Sequence, residues 1–329
     1  MSGYDPLAVA FYDIAHEGAQ LRLIASAIEA SVSPEPDAWG VVAKGLADLE
    51  GVRPRSLVIV TDGSVAKECA ELALSFFQPL ACPVVVCEQM PGFVGALDVV
   101  VVLSETGHNV LVQKAVSQVA SRGIPVVLCA PKESPLQAEA PDDVIVLDAL
   151  PTHEGSSVMR FVGLVMAVVD LADTPALLVA QKLKDYADAV DEELVQCSPE
   201  RDEFVNPARE LADIPGQIVH VGFVEHGERS AALARLVSRL WSGQGKVCAA
   251  LNGYELAQAR GRNRGAEADI FHDPLLDGPR QLLPLKAIVW CGPNDPECAD
   301  YSVPLPDPAP VGVVRLAVRA FAATAFFAA

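Results

Sequence analysis

The sequence predicts an α/β chain of two lobes, each built on an open parallel sheet with helices on both faces. Three observations predict it. Val99–Leu103 is a run of five consecutive aliphatic residues, a pattern that suits a strand buried on both faces of a sheet. Runs of this kind alternate with helix-period segments through the first half, as in repeated β-α units. The alternation then resumes after an acidic stretch, and 329 residues are long for one hydrophobic core but comfortable for two.

Element by element, residues 1–40 read as an N-terminal helical segment and 41–173 as the first lobe. In that lobe Ser56–Val60 is a strand, Thr61–Ser64 a polar turn and Val65–Phe77 a helix. Val84–Glu88 is the next strand. Asp98–Leu103 follows and runs through the loop Ser104–Asn109 into a helix over Val110–Arg122. Pro125–Cys129 and Val144–Leu147 are short β-branched strands, and Ser156–Ala172 is the closing helix. Right-handed crossovers then place every strand-to-helix loop on one edge. Residues 174–215 read as an acidic helical connector whose Asp185, Asp188, Asp191, Glu192 and Glu193 form a solvated face. Residues 216–329 form a shortened second lobe. Its strands are Ile218–Phe223, Lys246–Leu251, Leu285–Cys291 and an edge strand near Val303–Leu305. Its helices are Glu228–Trp241 and Val311–Phe327.

Composition narrows the functional classes. With 43 acidic against 24 basic residues, the formal charge is −19. Nucleic acid and anionic membrane both need a cationic footprint and are not expected partners. No apolar run reaches the ~18 residues of a membrane span, and the N-terminus shows no basic, signal-like patch. The eight cysteines form no C-x-x-C pair, and most lie in apolar stretches, so a reduced cytoplasmic protein is expected. Cys291 and Cys298 flank a Gly-Pro-Asn-Asp-Pro turn, but no histidine pair stands near them to complete a metal site.

The candidate site is the loop Ser104-Glu105-Thr106-Gly107-His108-Asn109. A buried strand that turns into a helix N-terminus aims backbone N–H groups at one spot, where the helix dipole favours an anion. Hydroxyls and an amide can complete such a cage without lysine. The pocket expected is therefore for a phosphate or carboxylate at the C-terminal edge of a parallel sheet. Helix capping by the same polar residues is the competing, purely structural reading. Other α/β classes lack their motifs: there is no G-x-x-x-x-G-K-[ST], no G-x-G-x-x-G after the first strand and no G-x-S-x-G. Neither a metal nor a cofactor is expected.

These residues resemble the sugar isomerase (SIS) double-domain family, near the bacterial bifunctional phosphoglucose/phosphomannose isomerases and nearest their divergent actinobacterial TobH-like branch. The family's S-Y-S-G-N-T after its third strand is similar to Ser104–Asn109, and its G-G-S loop to Asp62-Gly63-Ser64. Asn206-Pro207-Ala208-Arg209 resembles its N-P-A-K signature, with Ile218–Gly222 in the place of the second domain's first strand. The resemblance spans roughly residues 40–329. It implies flavodoxin-like topology in both three-layer lobes, a homodimer and a sugar-phosphate ligand. Ser104, Thr106 and Asn109 would hold the phosphate, Gly107 would allow close approach, Gly63 and Ser64 would line the facing wall, and His108 would touch the ligand.

The family's catalytic residues are only partly matched, with Lys246 kept and others missing. Its N-E-N-A-K segment, which supplies the base, corresponds to Ser242-Gly243-Gln244-Gly245-Lys246, where the carboxylate is gone. Its N-H-N-E motif has no clean match near Asn252–Arg264, and His153-Glu154-Gly155 stands where an arginine is expected. The last helix carries Arg315 and Arg319 but no lysine. Isomerisation needs a base between C1 and C2 and an acid for ring opening. Glu225, His226 and His272 (beside Asp273) are the available substitutes, each of which also reads as helix-end charge or turn. Two functions stay open: a phosphosugar isomerase with non-standard acid and base, and a sensor or carrier that binds without turnover. A protein with a purely structural or regulatory role is a third.

Overall fold

The computed structural model describes residues 6–34, 44–150, 157–267, 285–293 and 299–327. Two compact units result, Met1–Arg201 and Asp202–Ala329.

The first unit opens with α1 (Pro6–Ile14) and α2 (Glu17–Val32). A doubly wound unit follows: β1 (Leu57–Asp62), α3 (Ser64–Ser75), β2 (Val84–Cys87), β3 (Val99–Ser104), α4 (Val110–Ala120), β4 (Val126–Cys129), α5 (Pro135–Ala138), β5 (Ile145–Leu147) and α6 (Val158–Asp170). The long α7 (Ala176–Cys197) closes it. All strand pairs are parallel, in the order β2-β1-β3-β4-β5. The expected topology is therefore present, with element ends shifted by a few residues. Every residue of β3 is buried, as its aliphatic run requires.

Strand alternation divides the core. Val58, Val60, Val100, Val102, Val126 and Leu128 pack with Val112, Val116 and Val119 of α4. The alternate positions, Ile59, Val101 and Val127 among them, point to the opposite face, where α3 and α6 pair. Helix α6 is apolar nearly all round and is buried accordingly, because α2 and α7 cover its outer side. The acidic middle of the chain, expected as a helical connector with a solvated face, is a packed helix in which Glu193 is fully buried against that expectation. Its helix α7 lies along α2, held at the rim by Arg22 with Asp188 and Asp191 and by Lys184 with Glu29. The break between units falls just beyond it, after Arg201.

The second unit contains α8 (Pro207–Ala212), β6 (Gln217–Gly222), α9 (Gly227–Gly243), β7 (Cys248–Ala250), α10 (Gly253–Glu267), β8 (Leu285–Trp290), β9 (Tyr301–Val303) and α11 (Val311–Ala323). Its parallel sheet runs β7-β6-β8-β9. On one face Val219, Val221, Ala287 and Val289 pack with Leu256 of α10. On the other, buried His220 accepts from Trp290 Nε1 at 3.1 Å and meets the Trp241 ring at 87°. Helix α10 was not foreseen, since its polar sequence carries almost no amphipathic signal. The described cysteines are all free, and Cys298 lies outside the described residues. Among the described residues no helix is long and apolar enough to cross a membrane.

Candidate functional site

Two polar loops leave neighbouring strands at the same edge of the first sheet. Asp62 ends β1, Ser104 ends β3, and the two residues are register partners. Because β2 lies on one side of β1 and β3 on the other, this is the point where the strand order reverses. Open α/β sheets bind ligands in the crevice that such a reversal creates.

The loops are tied to each other by side chains. Ser104 Oγ donates to Asp62 Oδ2 at 2.6 Å, and Asn109 Nδ2 donates to Asp62 Oδ1 at 3.0 Å. Gly107 N donates back to Ser104 Oγ at 2.8 Å. Asn109 Oδ1 accepts from Leu111 N at 3.0 Å and Val112 N at 3.4 Å, so this residue is the N-cap of α4. Glu105 crosses to the other loop, where its Oε1 accepts from Ala66 N in the first turn of α3 at 2.8 Å. A carboxylate of the chain itself therefore sits where a helix N-terminus attracts anions.

Two glycines make this approach possible. Gly63 has φ +135°, and a Cβ there would lie 2.1 Å from the Glu105 carboxyl carbon. Gly107 has φ +67°, and its Cβ would lie 2.3 Å from Ser134 Oγ. Both positions exclude a side chain sterically and conformationally. Gly107 O also accepts from Leu136 N at 3.1 Å, which fastens the loop to α5.

The residues expected from the sequence thus divide into two groups. Ser104, Gly107 and Asn109 form the buried or half-buried scaffold of the loop, while Ser64, Thr106 and His108 are exposed. The structure brings Gly63, Ser64 and Ser104–Asn109 together at one edge. Glu225 and His226 lie in a short 3₁₀ turn, Val224–His226, after β6 in the other unit, with Glu225 exposed. His272 lies outside the described residues, as do His153 and Glu154. The sequence reading did not single out Asp62 and Glu105 as partners of the loop. It also passed over Arg160, a guanidinium buried in the first turn of α6 whose Nη1 donates to Ala130 O at 3.0 Å and whose Nη2 donates to Leu147 O. A lone arginine in the apolar run of α6 was the available signal.

In the second unit, the edge beyond β6 carries a cleft of about 760 Å³ lined by Phe223, Val224, Asn252, Tyr254 and Arg260. Gly222 lets α9 close on the strand, since a Cβ there would lie 2.4 Å from Ala231 N. Ser230 Oγ donates to Phe223 O at 2.7 Å and fixes the turn that carries Glu225 and His226.

No family model matches the chain, and no curated protein matches it. Solved structures do. The tagatose-6-phosphate ketose/aldose isomerase of Escherichia coli aligns with a TM-score of 0.59 at 14% identity, over 98% of this chain and 95% of that one. Glucosamine-6-phosphate deaminase of Thermotoga maritima gives 0.56 at 12%, over 97% and 93%. The C-terminal domain of glucosamine-fructose-6-phosphate aminotransferase from Francisella tularensis gives 0.54 at 12%, over 99% and 97%. At these identities the likeness is one of fold: the chain has one parallel α/β sheet in each unit and shares this fold with these three proteins.

Proposed function

We propose that this chain is a sugar isomerase-type (SIS) protein that binds a sugar phosphate at the β1/β3 edge of its first unit. It stands nearest in class to the phosphoglucose/phosphomannose isomerases but lacks their acid–base set. One observation carries the reading. At the strand-order reversal, two hydroxyl- and glycine-rich loops are locked face to face, with α3 and α4 both starting there. The fold shared with proteins named for sugar phosphates supports it.

The resident carboxylates define how binding would proceed. A phosphate dianion beside Asp62 and Glu105 would be repelled by ~3 kcal/mol per charge pair at ~5 Å and an effective dielectric of ~20. Glu105 is only half-buried and can swing to solvent, leaving Ala66 N and the hydroxyls of Ser64 and Thr106 to the phosphate. Asp62 stays, because it orients Ser104 and Asn109. Glu105 is thus a built-in competitor of the ligand, and Glu105→Gln should tighten phosphosugar binding roughly tenfold, or ~1.4 kcal/mol. Isothermal calorimetry with glucose, fructose, mannose and glucosamine 6-phosphates measures this. No binding by any of the four to the native protein or to the variant would sink the reading.

With the base of the N-E-N-A-K segment absent, binding without turnover is the expected outcome, which makes the protein a sensor or carrier. Following fructose 6-phosphate for conversion to glucose or mannose 6-phosphate separates the two functions. Turnover that Thr106→Val abolishes would establish an isomerase instead. The same kinship carries a homodimer, which sedimentation equilibrium would show as twice the 34.7 kDa chain mass.

A further inference from the structure

A second polar place lies inside the first unit, away from the two loops. Glu17 in the first turn of α2 is fully buried, and so is Gln20. Being three residues apart, they share a helix face. Glu17 Oε2 accepts from Met159 N in the first turn of α6, and the Ser157 hydroxyl also bonds this carboxyl. The other oxygen, Oε1, and both amide atoms of Gln20 have no hydrogen-bond partner among the described residues. Buried polar atoms are rarely left so and are usually met by ordered water.

Both side chains are fully buried, and the neighbouring helices α6 and α7 pack closely on α2. A Cβ on Gly163 of α6 would lie 2.4 Å from Leu21 Cδ2, and one on Gly18 would lie 1.9 Å from Asp191 Oδ1 of α7. Helix α2 is therefore clamped on both sides. The place also has an address in the fold. The first turn of α6 stands at the C-terminal edge of the sheet, where Arg160 bonds the carbonyls just past β4 and at the end of β5.

We propose that Glu17 Oε1 and the Gln20 amide form an internal hydroxyl-binding site between α2 and the first turn of α6, occupied by ordered water. The stoichiometry fits: one water can donate to the two oxygens and accept from Gln20 Nε2. An ordered water that can reorient also suits a carboxyl that burial pushes up to about 7, with Met159 N and the Ser157 hydroxyl lowering it and Asp13 raising it. Protonated, Glu17 donates to the water; ionised, it accepts from it. A backbone N–H or C=O could not follow that reversal. The site is independent of the phosphosugar reading.

A high-resolution crystal structure of the native protein, together with thermal unfolding of Gln20→Met, tests it. The site predicts a solvent peak ~2.7–3.2 Å from both Glu17 Oε1 and a Gln20 amide atom. It also predicts that Gln20→Met lowers the midpoint by ~2–4 °C, because the water loses a partner. A dry gap, or a variant that melts at or above the native midpoint, overturns the proposal. If Gln20→Met does not fold, the native density alone decides.

Discussion

Glu17 and His220 pull the pH dependence of stability in opposite directions. Burial raises the Glu17 carboxyl to about 7, from 4.5. The folded protein therefore holds a proton that the unfolded chain has released, and stability falls as pH rises from ~4.5 to ~7. Burial lowers His220 to about 3, from 6.5, so its contribution is present above ~6.5 and is lost as pH falls. Each slope is ~1.4 kcal/mol per pH unit where it acts, and between pH ~4.5 and ~6.5 they offset one another. Glu17→Gln removes only the first. Its denaturation midpoint in urea should fall steadily from pH 6.5 to 4.5, while the native protein changes little. Parallel profiles for the two proteins would contradict the assignment. None of this was legible in the sequence. An acid in an amphipathic segment reads as solvated, and only the packing of α6 and α7 around α2 buries it. The place of Ser104, Thr106 and Asn109 in a loop between a buried strand and a helix was legible, because the aliphatic run ends abruptly in polar residues. Their engagement by Asp62 was not, since that residue lies 42 positions before Ser104.

At the scale of the element, β3 and the loops at its two ends decide the first unit. At its start Asp98 is buried and accepts from Arg55, from Ser56 Oγ at 2.7 Å and from Gly95 N at 2.8 Å. The Arg55 guanidinium, with Ser56 and Gly95 N, holds this carboxyl down at about 2 against the cost of burial. Asp98→Ala leaves a buried hydroxyl and an N–H unsatisfied and should cost ~1–3 kcal/mol in chemical denaturation. At the other end, Gly63→Ala places a Cβ where the Glu105 carboxyl now lies. It should expel Glu105 from Ala66 N and weaken loop order, seen as faster amide exchange at Ala66, with the sheet left intact. Protection of Ala66 unchanged in that variant would show that Glu105 does not cap α3. Strand positions were legible from aliphatic runs throughout. Helix α10 was not, having no periodic apolar face to announce it.

At the scale of the molecule, each unit has its own sheet and its own buried core. Residues 1–201 expressed alone should therefore fold cooperatively. Circular dichroism and a single urea transition for this fragment are the expected result; an unfolded fragment would show that the first core depends on the second. The two-lobe α/β plan was legible from the alternation of strands and helices. The place of the acidic middle was not, because the expected connector is a helix packed along α2, with Asp188 and Asp191 at its rim and Glu193 buried. The central claim, that a sugar phosphate docks at the β1/β3 edge, is tested most directly by a crystal structure with fructose 6-phosphate. The account predicts the phosphate against Thr106 Oγ1 and Ala66 N, with Glu105 swung away. A structure in which Glu105 keeps its bond to Ala66 N while the sugar phosphate binds elsewhere, or does not bind, would contradict it.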